Sequence, residues 1–389
     1  MGNKNISEKK VSIIYITTGL STGGAERMLY NLLSRINRER FSPVVVSLMD
    51  RGTWGDRIEA LGIPVYIMGM KQGKPTPKSI WQFIHQIRQL KPDLILGWMY
   101  HANLAAQLAG IFTLKSIPVV WNIRHSIYSL DYEKPATSAI IKILAKISSF
   151  PEKILYNSKT GASQHEQLGY QASKTLVISN GFDPENFMPS LEFRTSLIKE
   201  LGLESDTFLI GRFARYHLMK DFANFLEAAA ILLKDYPDVH FLLAGDEVNW
   251  ENQILSQLIH ELKIVDRIHL LGDRQDIPRL TAALDIASSS SFYGEAFPNV
   301  IGEAMSCGVP CVVTDVGDSA WIVSNTGRIV SPKNPKALAD AWKELIKVGL
   351  EGRNALGKAA RTRIIENFSL DSIVAQYEEL YESVLIKKK

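Results

Sequence analysis

Short runs of β-branched residues alternate with longer helix-patterned segments along the whole chain, and partway through the rhythm starts afresh. Repeated strand, covering helix, next strand is the pattern of a parallel sheet buried on both faces. In the first half it predicts strands over 11–17, 43–48, 65–67, 94–96, 119–122 and 154–156, with helices between them, for example over 25–36 and 80–90. In the second half it predicts strands over 208–213, 240–244, 268–270, 286–288 and 310–314. The restart follows Val177-Ile-Ser-Asn-Gly-Phe-Asp-Pro184, whose Asn-Gly and Asp-Pro pairs favour turns and mark the expected hinge. A chain of 389 residues, 46% of them hydrophobic, is too long for one small core. The expectation is an α/β protein of two doubly wound domains, at 1–179 and 180–366, with an amphipathic terminal helix in 367–389. Ligands of such sheets sit beyond the carboxyl ends of the strands, so a cleft between the domains is the expected place for chemistry.

The segment Tyr293-Gly-Glu-Ala-Phe-Pro-Asn-Val-Ile-Gly-Glu-Ala-Met-Ser-Cys-Gly-Val-Pro310 carries two carboxylates, Glu295 and Glu303, with seven residues between them. Pro298 suits a first helical position and Gly308 the position past the end, which predicts a helix over 298–307. Glu295 then precedes the first amides and Glu303 lies within the helix. A carboxylate offers two acceptor oxygens to vicinal hydroxyls, and phosphates rest well on a helix N-terminus. Taken alone, the pair also fits an ordinary helix start with one solvated acid on its face.

Cations stand in Gly211-Arg-Phe-Ala-Arg-Tyr-His-Leu-Met-Lys-Asp221, after the first strand of the second domain. Arg212 falls inside the strand pattern, whereas Arg215 and Lys220 follow it. A glycine loop, Thr17-Thr-Gly-Leu-Ser-Thr-Gly-Gly-Ala-Glu-Arg27, joins the first strand to its helix, where bare backbone can approach a ligand closely. Glu26, in the first helical turn, is explained by the helix dipole. His101, in Trp98-Met-Tyr-His-Ala-Asn103, and His125, in Trp121-Asn-Ile-Arg-His-Ser126, each follow a strand.

Together these segments resemble the retaining GT-B glycosyltransferases of family 4, over most of the chain. The resemblance implies two Rossmann-like domains facing each other across a cleft, and a last helix that crosses back to the first domain. It implies catalytic roles for Glu295, His125, Arg215 and Lys220. Arg215 and Lys220 have the family's five-residue spacing and would take the donor diphosphate. Glu295 would hold the donor sugar with His125, and Glu303 the ribose hydroxyls. Amides of Ala296, Phe297, Asn299 and Val300 would meet the phosphates, while Arg274, Gln275 and Ile277, in Leu271-Gly-Asp-Arg-Gln-Asp-Ile-Pro278, would meet the base, largely through backbone groups. Gly23, Gly24, His101, Asn103 and Arg124 would face the acceptor. The reaction implied moves a hexose from a nucleotide-diphosphate sugar, with UDP-glucose the first choice, to a hydroxyl of a glycan or lipid-linked glycan. Configuration is retained by front-face attack, and no metal or other cofactor is required. Closure of the two domains over the donor is expected to exclude water.

The bulk numbers narrow the field. A net charge of +3 gives no ground for a nucleic-acid binder. Cys307 and Cys311, the only cysteines, read as small core residues and fit a reducing cytoplasm. The polar N-terminus leading into a strand predicts no signal peptide, and no apolar run is long enough to span a bilayer. No Asp-x-Asp occurs to hold a metal in the manner of the other large glycosyltransferase fold. The stretch 138–147 is amphipathic, with Lys142 and Lys146, followed by Lys153 and Lys159; it reads as a half-buried helix or as a face that rests on anionic lipid. The expected location is cytoplasmic, with peripheral contact at the inner membrane face open. Rival readings are a silent glycan-binding scaffold on the same fold, a nucleotide-sugar epimerase, and a phosphorylase-like enzyme, for which no pyridoxal lysine is evident. A nicotinamide oxidoreductase is further off, because neither sheet opens with G-x-G-x-x-G and a following acid.

Overall fold

The computed structural model describes residues 10–21, 23–71, 75–113 and 117–386. It divides the chain into two compact units, Met1–Gly181 with Leu370–Lys389, and Phe182–Ser369. The reading of an absent signal peptide falls on residues 1–9, outside the described residues.

The first unit is built on seven parallel strands: β1 (Val11–Thr17), β2 (Phe41–Ser47), β3 (Val65–Ile67), β4 (Leu94–Trp98), β5 (Val119–Ile123), β6 (Lys153–Tyr156) and β7 (Thr175–Val177). Their order is β3-β2-β1-β4-β5-β6-β7. The central strands β4 and β5 are buried throughout, which is why they read as unbroken apolar runs rather than alternating ones. One face of the sheet packs Tyr15 and Leu96 against Leu29, Leu32 and the C-terminal helix Leu370–Ile386. The other packs Ile14 and Trp121 against Ile84, Ala106 and Leu144.

The amphipathic terminal helix expected in 367–389 runs Leu370–Ile386, and a separate helix, Gly349–Phe368, precedes it, with Ser369 extended between them (φ −63°, ψ 143°). The terminal helix lays Ile373, Val374, Tyr377, Leu380, Tyr381 and Val384 into the core of the first unit, and Tyr15 Oη donates to Tyr381 Oη at 3.0 Å.

The second unit holds β8 (Phe208–Phe213), β9 (Val239–Ala244), β10 (Ile268–Leu270), β11 (Ile286–Ser289), β12 (Cys311–Thr314) and β13 (Arg328–Val330), all parallel, in the order β10-β9-β8-β11-β12-β13. This is the 3-2-1-4-5-6 order of a dinucleotide-binding sheet, and its switch point lies between β8 and β11. Strands β7 and β13 went unread in the sequence. Each has three residues, lies at a sheet edge and is without a fully buried residue.

Candidate functional site

At the switch point of the second unit the loops after β8 and β11 are sewn together. Phe292 N–H donates to Met219 O at 2.8 Å, and Ser290 Oγ to Asp221 O at 2.8 Å. The β8 loop is held in shape by His217, whose Nδ1 accepts from Met219 N–H, and by Asp221, which sits in the left-handed region (φ 49°) and caps the next helix. This backbone brings Lys220 Nζ into a hydrogen-bonded ion pair with Glu295 Oε1, which also accepts from Ser291 Oγ at 2.8 Å. Burial alone would raise the Glu295 carboxyl; the Lys220 ammonium, Ser291 and the guanidinium of Arg212 outweigh it, and the net shift is downward. Glu295 is therefore an anion with Oε1 committed, and among the described residues no hydrogen bond is formed at Oε2.

Arg212, set aside in the sequence as a strand residue, is indeed on β8, yet it contributes to this site from below. It is buried, its Nη2 donates to Lys220 O, and its guanidinium lies 4.7 Å from the centre of the Phe222 ring. Burial pushes its pKa down to about 10, which still leaves it cationic at neutral pH. Arg215 is exposed on the same loop and forms no ion pair among the described residues. Gly317 (φ +60°) brings the loop after β12 so close that a Cβ would stand 2.1 Å from Glu295 O.

The helix after this loop runs Asn299–Ser306, one residue shorter at each end than predicted. Pro298 is extended (φ −72°, ψ 115°) and serves as the N-cap, with no side chain capping the helix start. At the other end Gly308 (φ +69°) makes the predicted stop: its N–H donates to Met305 O and that of Val309 to Ala304 O, the paired bonds of a Schellman ending. Ala296 and Phe297 are buried beneath the N-terminus and Val300 is half-buried. Glu303 is buried one turn in, so it is not the solvated acid of the plainer reading.

The β10 loop is fixed by backbone bonds, Gly245 N–H to Gly272 O at 2.8 Å and Gly272 N–H to Val248 O at 2.9 Å. The Arg274 side chain grips Asp276 through two 2.8 Å bonds and Glu200 through a third, which leaves the loop's backbone groups as its expected contacts to the base. Those bonds hold the Asp276 carboxyl well below the usual carboxylate range, Arg274 contributing most. Its side chain braces the loop, while Gln275 is exposed and Ile277 starts the helix Ile277–Ala282.

In the first unit the expected residues gather at the carboxyl ends of β1, β4 and β5. Gly23 caps and Gly24 begins the helix Gly24–Arg35, and a Cβ on Gly23 would stand 2.3 Å from Glu26 Oε2. His101 is half-buried, with its pKa lowered by that burial, in the first turn of the helix Tyr100–Phe112. Its entry residue Met99 holds a strained φ of 76°. Asn103 is buried, with Nδ2 donating to Asn122 O and Oδ1 accepting from Asn122 N–H, and it ties helix to strand. Arg124 is similarly engaged, by Tyr377 Oη at 3.0 Å, by Asn180 Oδ1 and by the Trp98 ring at 4.9 Å. His125 Nε2 lies 2.7 Å from Glu133 Oε1. Sequence reasoning missed Ser291, Arg212 and Glu133. The serine run Ser288–Ser291 just ahead of Glu295 was a usable signal for the first, whereas the other two become visible only through tertiary contacts.

Among the described residues no three His, Cys, Asp or Glu side chains are grouped so as to hold a metal ion, and no helix is long and apolar enough to cross a membrane. Residues 22–186 match the family described as Glycosyltransferase Family 4, and residues 205–347 that described as Glycosyl transferases group 1. The chain is 25% identical to an Escherichia coli UDP-Gal:alpha-D-GlcNAc-diphosphoundecaprenol alpha-1,3-galactosyltransferase, over 86% of either chain. It is 32% identical, over 49% of either chain, to the N-acetyl-alpha-D-glucosaminyl L-malate synthase of Bacillus anthracis. In three dimensions it is similar to Anabaena Alr3699/HepE in complex with UDP-glucose, with a TM-score of 0.83 and 26% identity, covering 96% of this chain and 99% of that one.

Proposed function

Because this chain belongs to the family 4 glycosyltransferases of the GT-B fold, we propose that it moves a hexose from a UDP-sugar to a hydroxyl of a glycan or lipid-linked glycan, retaining configuration and needing no metal. The observation that carries the reading is the Lys220–Glu295 pair at the switch point of the second unit. A departing UDP develops charge on its diphosphate, and fixed cations with helix amides are an alternative to a metal for absorbing it. Lys220 and Arg215 supply the cations and the N-terminus of Asn299–Ser306 the amides. Glu295, with Oε1 held by Lys220 and Ser291, offers Oε2 to sugar hydroxyls. Glu303 takes the ribose, and His125 a hydroxyl of the transferred sugar.

In the reaction the bond from the anomeric carbon to the diphosphate oxygen breaks and one to the acceptor oxygen forms on the same face. The acceptor's proton passes to the departing diphosphate, so no protein nucleophile is needed. UDP-glucose is the first candidate donor, since HepE was crystallised with it, and UDP-galactose is the second, from the name of the Escherichia coli relative. The same relative's name supports a lipid-linked acceptor. On the helix Pro135–Lys146, Ile141 and Leu144 are buried while Lys142, Ile143 and Lys146 are exposed, with Phe150 just beyond, and this face would suit peripheral contact with anionic lipid.

A UDP-release assay across a panel of UDP-hexoses, with lipid-diphosphate sugar acceptors and with EDTA present, tests the proposal. Release that depends on acceptor and survives EDTA is expected, with an α-linked product by NMR from an α-configured donor. A scaffold would release nothing, an epimerase would convert the donor without acceptor, and loss of activity in EDTA would remove the metal-free mechanism.

A further inference from the structure

Glu133 stands at the end of the 3-10 turn Leu130–Tyr132, where its N–H donates to Leu130 O, two residues ahead of the helix Pro135–Lys146. Backbone on both sides thus sets its position, and its carboxylate reaches back to His125, with Oε1 2.7 Å from Nε2. Both side chains are largely withdrawn from water, at 29% exposure for His125 and 19% for Glu133. The imidazole is enclosed further by Tyr100, whose ring meets it edge-on at 6.2 Å. Tyr100 is itself fixed, with Oη 2.8 Å from His165 Nε2, while His165 Nδ1 lies 2.6 Å from Gly161 O. Gly161 in turn lies beneath the His125 carbonyl, so close that a Cβ there would stand 3.1 Å from it.

We infer that Glu133 is a positioning residue that fixes His125 in the tautomer with hydrogen on Nε2, so that Nδ1 offers a lone pair to a hydroxyl of the transferred sugar. An ionised carboxylate can only accept hydrogen bonds, so the nitrogen facing it must carry the hydrogen. In a neutral imidazole the other nitrogen is then an acceptor, and its partner must be a donor. A sugar hydroxyl qualifies; a phosphate oxygen or a carbonyl does not. The His125 bond holds the Glu133 carboxyl below its ordinary range, in keeping with an ionised partner at neutral pH. Among the described residues no hydrogen bond is made at His125 Nδ1. The inference rests on the reading of His125 as a donor-sugar contact, which the Glu133 geometry makes specific as to atom and chemistry.

The test combines nitrogen-15 correlation spectra of the histidine rings, recorded at pH 8 on the full chain, with kinetics of wild type, E133A, E133Q and E133D. Wild type is expected to show His125 as the Nε2–H tautomer, and E133A and E133Q a mixture, since an amide can donate or accept. Addition of the UDP-sugar should shift the Nδ1 resonance. E133Q should lower kcat about tenfold, the scale of one hydrogen bond lost in the transition state, with donor KM nearly unchanged. E133D should recover part of the loss, and H125A should cost E133Q little more. E133Q keeps the side-chain volume, so it remains informative if E133A fails to fold. A His125 tautomer indifferent to residue 133 overturns the inference while leaving the proposed reaction intact. A tautomer that follows residue 133 but ignores the donor, with kinetics unchanged, removes His125 from the sugar and the inference with it.

Discussion

The Lys220–Glu295 pair is where a single residue decides most. Its two side chains are only 18% and 11% exposed, and removing one partner of such a pair leaves the other as an uncompensated buried charge, at a cost of about 3 kcal/mol or more. K220A should therefore lose stability as well as activity, and the two losses can be separated. The double variant K220A/E295Q removes both charges and should recover much of the stability in urea unfolding, while kcat stays at least about 100-fold down, the scale of a lost transition-state donor. Recovery of kcat along with stability would mean that the pair only holds two loops together. The resemblance to the family's motifs is what singled out Glu295, Arg215 and Lys220 in the sequence; their spacing alone also fits an ordinary helix start and a basic loop. Sequence could not show that Arg274 also pairs with Glu200, or that Asn103 spends its amide on the backbone of Asn122, since those partners come from other elements.

Elements aim these residues, and two glycines show how differently. Gly308 ends the helix Asn299–Ser306 with φ +69°, and a Cβ there would meet nothing nearer than 3.5 Å. G308A should thus cost only the left-handed conformation, about 1 kcal/mol. At Gly317 a Cβ would overlap Glu295 O at 2.1 Å, so G317A must move the loop that carries the carboxylate. Unfolding and kinetics on both variants should show a small stability loss with normal kcat for G308A, and a strongly reduced kcat for G317A. Gly308 was legible because a helix stop is a local signal; Gly317 was not, because its constraint comes from a strand loop 22 residues away from Glu295. His165, buried on the helix Lys159–Gln167, adds a pH prediction. Burial lowers its pKa from 6.5 to about 4, so between those values the unfolded chain binds the extra proton and the folded chain does not. Stability is then greatest above pH 6.5 and falls as pH drops towards 4, by roughly 3 kcal/mol for this group. The urea midpoint of H165Q should depend less on pH across that window than that of wild type.

On the scale of the whole molecule, the chain passes from the first unit to the second after Gly181 and back after Ser369, and the return is what completes the first unit. The helix Leu370–Ile386 contributes seven buried side chains to that unit's core. At about 1.5–3 kcal/mol each they are worth roughly 10–20 kcal/mol, as much as the entire stability of an ordinary domain. Deletion of residues 370–389 should leave the first unit without protected amides in hydrogen exchange, while β8–β13 keep theirs. Protection of β1–β7 without this helix would show that the packing contributes little. The periodicity made the two sheets and most of their strands legible. The family resemblance implied that the last helix returns to the first domain; the packed chain adds the break at Ser369 and the side chains by which the helix joins the first unit's core.

The central claim is that the fixed charges at the switch point of the second sheet grip an activated sugar through its diphosphate. Calorimetric titration of UDP into the wild-type chain and into R215A, K220A/E295Q and E303A, with EDTA present, tests it most directly. The expectation is saturable binding of one UDP per wild-type chain, weakened about tenfold or more in each variant, the scale of a lost charge-assisted hydrogen bond. No binding at millimolar UDP, or equal affinity in wild type and all three variants, would contradict it.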